Sequence, residues 1–429
     1  MQQQRTKFRK RSNRQHQAQP HNSNSNSNSY PPNPSQNTYS SNRFHSHSPS
    51  YAPPQNVHYE PHELMDGEGY LEILPEGYGF LRSQKQDYCS SKDDIYISKS
   101  QIQRLKLREG SRIKGKTCIA SLHREKHKGL NQIDSIDDLS PEEYAQLPQF
   151  SSLEASYPKE RIRLEHHNIT STRLIDLICP LGKGQRSLIL APPRTGKTIL
   201  IQEIAKAIAQ NYPKIEIILL LIGERPEEVT EMRNMVKGEV LASTFDDDGS
   251  RHIQVSNMAI SKAKRLVERG KDVVILLDSI TRLARAFNKE APSTGKTLTG
   301  GLTAGALDIP KKIFGTARYI EGGGSLTIIG TALIDTGSKM DEVIFEEFKG
   351  TGNMEIRLSR ELANRRLFPA IDVLASGTRK EELLLHPDEK ERMWKLRNQI
   401  IDMPLVMGAE YVLDKIKKTQ NNAELLLSL

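Results

Sequence analysis

The hydrophobic pattern changes character along the chain. From Gly69 onward, short apolar bursts alternate with turn residues: Tyr70-Leu-Glu-Ile-Leu74, Gly77-Tyr-Gly-Phe-Leu-Arg82, Asp94-Ile-Tyr-Ile-Ser98 and Arg112-Ile-Lys-Gly-Lys-Thr117. Short period-two runs bounded by turn residues predict strands, and several in succession predict a small β-barrel of about 70 residues. A helix is expected between strands at Lys99–Leu107. Beyond residue 165 the apolar runs 187–191, 215–222, 273–277 and 325–334 are too short for helices and contain β-branched residues. Segments 197–210, 226–237 and 256–269 carry apolar residues at three- and four-residue spacing, which predicts helices. This alternation predicts a doubly wound α/β domain with a largely parallel sheet. Two further helices are expected at 380–402 and 408–418.

Before Pro61 almost nothing is aliphatic. Runs such as Asn22-Ser-Asn-Ser-Asn-Ser-Asn-Ser29 cannot bury enough surface to offset the entropy of ordering the backbone. The expected organisation is a disordered tail at 1–61, a barrel at 62–140, a connector at 141–164 and an α/β domain at 165–429.

The net charge is +8, yet residues 1–59 hold seven Lys/Arg and no Asp/Glu, leaving 54 basic and 53 acidic groups elsewhere. Nucleic-acid binding by the folded part must therefore be argued from local groups. The basic cluster Arg5–Arg14 could attract RNA weakly or simply keep the tail soluble. No run approaches the roughly 18 apolar residues of a membrane helix, and no signal-peptide core follows the N-terminus, so a cytoplasmic protein without membrane partners is expected. Cys89, Cys118 and Cys179 show no metal-ligand spacing, which excludes a disulfide framework or zinc site as the expectation.

The strongest chemical motif is Ala191-Pro-Pro-Arg-Thr-Gly-Lys-Thr198, set between the strand Ser187–Ala191 and a helical run from Ile199. This is the context of a phosphate-binding loop, although Ala191 replaces the usual first glycine. Backbone N–H groups at the helix N-terminus would cradle a phosphate. Lys197 would reach the β- and γ-phosphates, and the Thr198 hydroxyl would ligate Mg²⁺. Val273–Asp278 ends in a carboxylate that would organise Mg²⁺ from a neighbouring strand. Ile217–Ile222 leads into Gly223-Glu224-Arg225, where Glu224 is placed to polarise a water and Arg225 to contact phosphate. Glu227 and Glu228 follow Pro226 and read as first-turn acids of a helix. A second Gly-Lys-Thr at Gly295–Thr297 has neither the strand before it nor the helix after it, and reads as a flexible loop.

Taken with Glu224-Arg-Pro-Glu-Glu-Val-Thr230, Asp278-Ser-Ile-Thr-Arg-Leu-Ala-Arg285, Thr336-Gly-Ser-Lys-Met-Asp341 and Ser376-Gly-Thr-Arg-Lys-Glu-Glu382, the chain over about 66–420 closely resembles the bacterial transcription termination factor Rho family. The resemblance implies a RecA-like P-loop ATPase domain preceded by a small OB/cold-shock-like barrel. It also implies a homohexameric ring that translocates 5′→3′ on nascent single-stranded RNA using ATP and Mg²⁺, with RNA polymerase and elongation factors as partners. It assigns Lys197, Thr198 and Asp278 to ATP and Mg²⁺, and Glu224 to catalysis. Arg194, Thr195, Gly196 and Ile199 belong to the same loop, and Phe368 matches an adenine-stacking position. The stretch Gly182, Lys183, Gly184, Gln185, Arg186, Ser187 matches a nucleotide-site segment. Arg379 matches an arginine finger, with Arg366 a second basic residue of the subunit interface.

Two loops match RNA contacts in the ring's pore: Lys296, Thr297, Leu298, Thr299, Gly300 and Gly301, and a second loop carrying Lys339. Small flexible residues with a lysine suit a sequence-independent grip on a phosphate backbone. In the barrel, Gly77, Tyr78, Phe80, Arg82, Asp94 and Tyr96 match the primary RNA site. Tyr78 and Phe80 alternate on one strand, so both rings are expected on one exposed face, with Arg82 on phosphate or base and the glycines allowing close ligand approach.

The chain departs from the family in three places. Arg124–Gly129 stands where an aromatic often lines a base pocket, which shifts the expectation from cytosine preference toward phosphate contacts. The helical subdomain that often precedes the barrel is replaced by the tail. Gly223 occupies a position that is Asp in many relatives, with a modest effect expected because Glu224 is present. Elsewhere, adjacent His166 and His167 are expected to diverge, Cys179 to be a packed thiol, and Trp394 to be core. A rotary-ATPase subunit shares the P-loop and the Gly-Glu-Arg, but the aromatic barrel and the lysine-bearing glycine loop argue against it. An RNA chaperone with a silent nucleotide domain is opposed by the intact Lys197, Thr198, Glu224 and Asp278.

Overall fold

The computed structural model describes residues 58–59, 64–122, 125–292 and 297–429. The expected disordered tail lies outside these residues except for His58–Tyr59, which pair antiparallel with Ser121 and Ala120 of the barrel.

Five strands form the barrel: β1 (Met65–Ile73), β2 (Gly79–Arg82), β3 (Ile95–Ile97), β4 (Arg112–Leu122) and β5 (Glu125–Ile136). Strand order β4–β1–β2–β3–β5 closes through a β4–β5 pairing, and only β3–β5 is parallel. Leu71, Leu81, Ile95, Ile97, Ile113, Leu130 and Ile136 fill the interior, as period-two alternation requires. The helix expected at Lys99–Leu107 runs from Lys99 to Arg104, begun by a Ser98/Gln101 capping box.

The second domain is built on a parallel sheet: β6 (Arg186–Ala191), β7 (Glu216–Glu224), β8 (Glu239–Thr244), β9 (Asp272–Asp278), β10 (Ser325–Leu333) and β11 (Met354–Arg357). Spatial order is β8–β7–β9–β10–β6–β11, with Gly377–Thr378 added antiparallel at the edge. Helices α1 (Lys197–Asn211), α2 (Pro226–Met235), α3 (Gly249–Glu268), α4 (Ile280–Glu290), α5 (Lys339–Lys349) and α6 (Pro387–Ile400) include the crossovers. Two apolar clusters cover the sheet, one containing Ile189, Leu219 and Leu276, the other Leu188, Leu220 and Ile275. That division follows the strand alternation and explains why the runs are continuously apolar. No helix among the described residues is long and apolar enough to cross a membrane.

The helix expected at 380–402 starts only at Pro387, because proline at the first helical position fixes the boundary. Trp394 is not core: it is 49% exposed while Met393, Leu396 and Ile400 are buried on the other face, and its Nε1 donates to Glu381. His166 and His167 do not diverge; their ring centroids lie 3.9 Å apart. Cys179 is a buried thiol whose pKa burial raises.

The barrel is fastened to the α/β domain mainly through α3. Gly110 lies so close to the helix that a Cβ would meet the Ser261 carbonyl carbon at 2.4 Å, which requires glycine there. Around this contact Arg108 pairs with Glu268 at 2.8 Å, and Lys262 lies 4.2 Å from the Tyr70 ring centroid. Glu239 accepts from Tyr88 at 2.5 Å and from Lys262 at 2.6 Å.

Candidate functional site

The loop after β6 turns through Arg194 at φ 63° and Gly196 at φ 87°, and α1 begins at Lys197. Positive φ at Gly196 costs no Cβ strain, and the first-turn N–H groups of the helix that follows have no partner within the helix. Thr195 is buried, its hydroxyl donating to the Pro192 carbonyl at 2.8 Å. Phe368, 48% exposed, overhangs the loop: a Cβ on Gly196 would meet its ring at 3.6 Å. Ile199 projects outward from the first turn, 60% exposed.

Beside the loop, Lys197 Nζ donates to Glu224 Oε1 at 2.8 Å and to Asp278 Oδ1 at 2.6 Å. Burial alone would lower the Lys197 pKa, but the two carboxylates outweigh it and hold the ammonium above its ordinary value. Burial pushes Asp278 above the usual carboxylate range, with Lys197 opposing. Asp278 does not come from the strand next to β6; β10 intervenes, and its Thr331 donates to Asp278 Oδ1 at 2.7 Å. Glu224 is buried at the end of β7, and Arg282 of α4 approaches its other oxygen at 3.5 Å.

Gly223 explains how Glu224 is aimed. Pairing with β8 is irregular between Ile222 and Glu224, and Gly223 sits at φ 68°. The bulge advances Glu224 relative to the ladder, while a Cβ at 223 would press on Arg282 at 2.9 Å. Arg225 is exposed at the start of α2, and Glu227 and Glu228 lie in that helix's first turn. Arg366 and Arg379 are exposed, and neither forms an ion pair among the described residues.

The stretch Gly182–Ser187 is placed away from this pocket. Lys183 pairs with Asp272 at 2.8 Å and Glu160 at 2.6 Å. Asp272 begins β9 whereas Asp278 ends it, a separation of about 20 Å at ~3.3 Å per residue. Gly184 N–H donates to Thr327, buried Gln185 donates to Asn353, Arg186 to Thr351 and Ala317, and Ser187 to the Met354 sulfur. Gly182 belongs to a two-residue strand paired with Arg161. These residues tie strands together at the end of β6 opposite the loop.

In the barrel, Tyr78, Phe80 and Tyr96 do share a face, with ring centroids 5.7–6.0 Å apart. Two of the rings are not exposed: Tyr78 is at 5% and Tyr96 at 4%, because they pack on one another, and Phe80 is the partly open ring. Arg82 is also not free. It is 6% exposed, donates to Glu72 at 2.6 Å, pairs with Asp94, and stands 5.1 Å from the Phe80 centroid. Asp94 additionally accepts from the Ser91 N–H at 2.6 Å. The glycines serve the hairpin itself: Gly77 turns at φ 93°, and a Cβ on Gly79 would meet the Glu72 carbonyl oxygen at 2.4 Å. Arg124 lies outside the described residues, and Lys128 is exposed on β5.

Lys296 likewise lies outside the described residues. Thr297–Leu298 pairs antiparallel with Leu302–Thr303, a small hairpin and no second phosphate loop. Gly300 and Gly301 turn at φ 80° and 78°, and a Cβ on Gly300 would sit 3.0 Å from the Lys339 carbonyl oxygen, so the two predicted RNA loops touch. Lys339 opens α5, whose buried Asp341 accepts two bonds from Arg285 at 2.7 and 2.8 Å and one from Thr336 at 2.7 Å. Arg285, Lys289 and Lys339 lend a basic lining to a groove of about 620 Å³ beside them.

Sequence comparison places this geometry. Residues 67–142 match the Rho termination factor RNA-binding domain, and 171–378 match the nucleotide-binding domain of the ATP synthase alpha/beta family. Transcription termination factor Rho of Haemophilus influenzae is 54% identical over 371 residues, covering 86% of this chain and 88% of the relative. The Rho of Pseudomonas fluorescens is 54% identical over 87% of this chain and 90% of its own, and that of Aquifex aeolicus 53% over 86% of each. The chain belongs to the transcription termination factor Rho family.

Two solved structures share the fold: an ATPase from a type III secretion system (TM-score 0.53, 24% identity, 62% of this chain and 82% of that one) and an ATP synthase subunit from Nanoarcheaum equitans (TM-score 0.52, 20% identity, 64% and 79%). The rotary-ATPase likeness met in the sequence is thus a likeness of nucleotide domains, while the barrel carries the Rho-family signature. Thr331, Arg282 and Glu72 escaped sequence reasoning. Each acts on a predicted site residue from another element, and no local spacing betrays that.

Proposed function

We propose that the chain is an RNA-dependent ATPase that translocates 5′→3′ along nascent single-stranded RNA and releases it from RNA polymerase. The observation that carries this reading is the buried Lys197–Glu224–Asp278 cluster at the mouth of the P-loop, in a chain that also holds a Rho-type RNA-binding barrel.

The pocket residues fit a magnesium nucleotide. Lys197 is already committed to two anionic partners, a place phosphate oxygens would share, and the Thr198 hydroxyl and Asp278 carboxylate are an oxygen donor set of the kind Mg²⁺ prefers. Bound there, Mg²⁺ would supply neutralisation of the charge on the β- and γ-phosphates. Lys197 would neutralise the same oxygens, with the N–H groups of Thr195, Gly196 and Lys197 cradling phosphate. Once Lys197 turns to phosphate, Glu224 is released to accept a proton from, and orient, the attacking water. Phe368 would stack on adenine, and Arg194 and Arg225 would line the phosphates.

Arg379 and Arg366, exposed and without acidic partners, are suited to reach nucleotide held by a neighbouring subunit of a hexameric ring. Phe80 would be the barrel's principal stacking surface, with Tyr78 and Tyr96 bracing it and the Arg82–Asp94 pair beside it. Lys296 to Gly301 and Lys339 would grip the strand in the pore. A cytoplasmic protein divided into barrel (62–140), connector (141–164) and ATPase (165–429) is part of the same reading.

Hydrolysis measured with and without poly(C) or mixed-sequence single-stranded RNA tests it. Strong stimulation supports it; equal turnover in both conditions points to a rotary-type ATPase, and RNA binding without turnover to a chaperone.

A further inference from the structure

Glu72 is shared by the two domains. On the barrel side its Oε2 accepts from Arg82 Nε at 2.6 Å. On the ATPase side both of its oxygens accept from Gln254 Nε2 of α3, at 2.9 and 3.0 Å. Its side chain is only 14% exposed, so these bonds form in a medium where charge-assisted contacts are strong. Arg82 has a second acid, Asp94, and its guanidinium lies against Phe80, the open ring of the RNA site.

From Gln254 the connection continues toward catalysis. Two residues earlier on α3, His252 Nδ1 and Ser243 Oγ of β8 share a hydrogen bond of 2.6 Å. Ser243 precedes Thr244, which pairs in register with Glu224, and the Phe245 N–H donates to the Glu224 carbonyl at 3.2 Å. A continuous set of bonds and rigid elements therefore links the ring on which RNA would stack to the strand end that carries the catalytic carboxylate.

We propose that Gln254 is a positioning residue that couples RNA occupancy of the barrel to ATP hydrolysis, acting through Glu72. The inference rests on the function proposed above. An RNA phosphate or base edge engaging Arg82 competes with Glu72 for the guanidinium. The Glu72 carboxylate then relies on Gln254, and the docking of the barrel on α3 changes with RNA occupancy. Coupling of this kind is reciprocal: whatever RNA does to the Glu72–Gln254 bond, the bond does to RNA.

The test uses the full chain and the ratio of RNA-saturated to RNA-free hydrolysis, with the RNA concentration at half-maximal stimulation. Gln254→Leu is expected to lower the ratio or raise that concentration about fivefold, within the usual range of coupling energies. Glu72→Ala removes that bond together with the Arg82 pair and is expected to do at least as much, and the double variant to be no worse than Glu72→Ala alone, because the Gln254 bond is already lost in it. Gln254→Lys, which restores a donor to Glu72, should recover part of the loss. Unchanged stimulation in Gln254→Leu overturns the inference, as does an equal proportional fall of both rates, which marks a merely structural contact. If the unsubstituted chain itself shows no stimulation by RNA, the underlying functional reading falls, and the inference with it.

Discussion

The Lys197 ammonium stands 2.8 Å from the Glu224 carboxylate, so the residue proposed to bind phosphate also neutralises the residue proposed to activate water. Asp278 and Arg282 share in the same cluster, at 2.6 Å from Lys197 and 3.5 Å from Glu224. A phosphate oxygen bound by Lys197 would compete with Glu224 for one ammonium, so the proposed phosphate contact and the proposed activation of water are linked through that side chain.

Lys197→Ala should lower hydrolysis by at least about 10²-fold, the scale of removing one preorganised charge from a transition state. It also leaves Glu224 and Asp278 buried without their shared cation, so a lower thermal midpoint is expected. Binding of single-stranded RNA should survive, because the barrel has its own apolar core. Anisotropy with labelled RNA beside a hydrolysis assay checks this; joint loss of both activities in a folded variant would refute the division of labour.

Glu224→Gln keeps the size of the side chain and an acceptor for Lys197 while removing the base. ATP binding should persist and hydrolysis fall about 10²- to 10⁴-fold. Nucleotide-binding and single-turnover measurements separate the two effects. A variant that loses affinity and keeps its rate would make Glu224 a binding residue instead.

The convergence of Lys197, Glu224 and Asp278 was legible because its parts are either contiguous, as in Pro192–Thr198, or announced by a strand ending in an acid, as at Glu224 and Asp278. Their relation to Thr331 and Arg282 was not, since those contacts arise only when β10 and α4 pack. The same distinction explains Gly182–Ser187. Nearness in sequence to the P-loop hides the fact that β6 carries the two segments to opposite ends. In the barrel, alternation put Tyr78 and Phe80 on one face, but exposure depends on Tyr96 closing over Tyr78, which is a tertiary fact. Strand β5 was missed because Glu125-Lys-His-Lys-Gly129 has no apolar alternation; pairing with β4 holds it extended.

Glu109, at the junction of barrel and α3, gives stability a pH dependence. Burial, reinforced by nearby Glu72 and opposed by Lys264 and Arg265, raises its pKa from the ordinary 4.5 to about 7. The folded state therefore favours the neutral acid. This contribution is fully present below pH 4.5 and is lost as pH rises through about 7. Glu109→Gln never ionises. Its thermal midpoint should match the parent's below pH 4.5, rise above it between there and pH 7, and exceed it by a constant margin beyond. Melts across pH 4–8 check this; a margin that shrinks with rising pH would refute it.

Within the aromatic triad the exposures predict a ranking. Phe80 is partly open, whereas Tyr78 at 5% exposure is built into the barrel. Phe80→Ala should weaken single-stranded RNA binding by about 1–3 kcal/mol, the worth of one base stacked on a ring, with a small change in thermal midpoint. Phe80→Trp should retain affinity, since it keeps a π-face at the same position. Tyr78→Ala removes a buried ring and should cost about 3–5 kcal/mol of stability; its effect on RNA follows from the loss of support under Phe80. Affinity and melting measured on the same samples separate the two roles. If Tyr78→Ala lost more affinity than Phe80→Ala while melting like the parent, Tyr78 would be the platform and the packed arrangement of the rings would have to open when RNA binds.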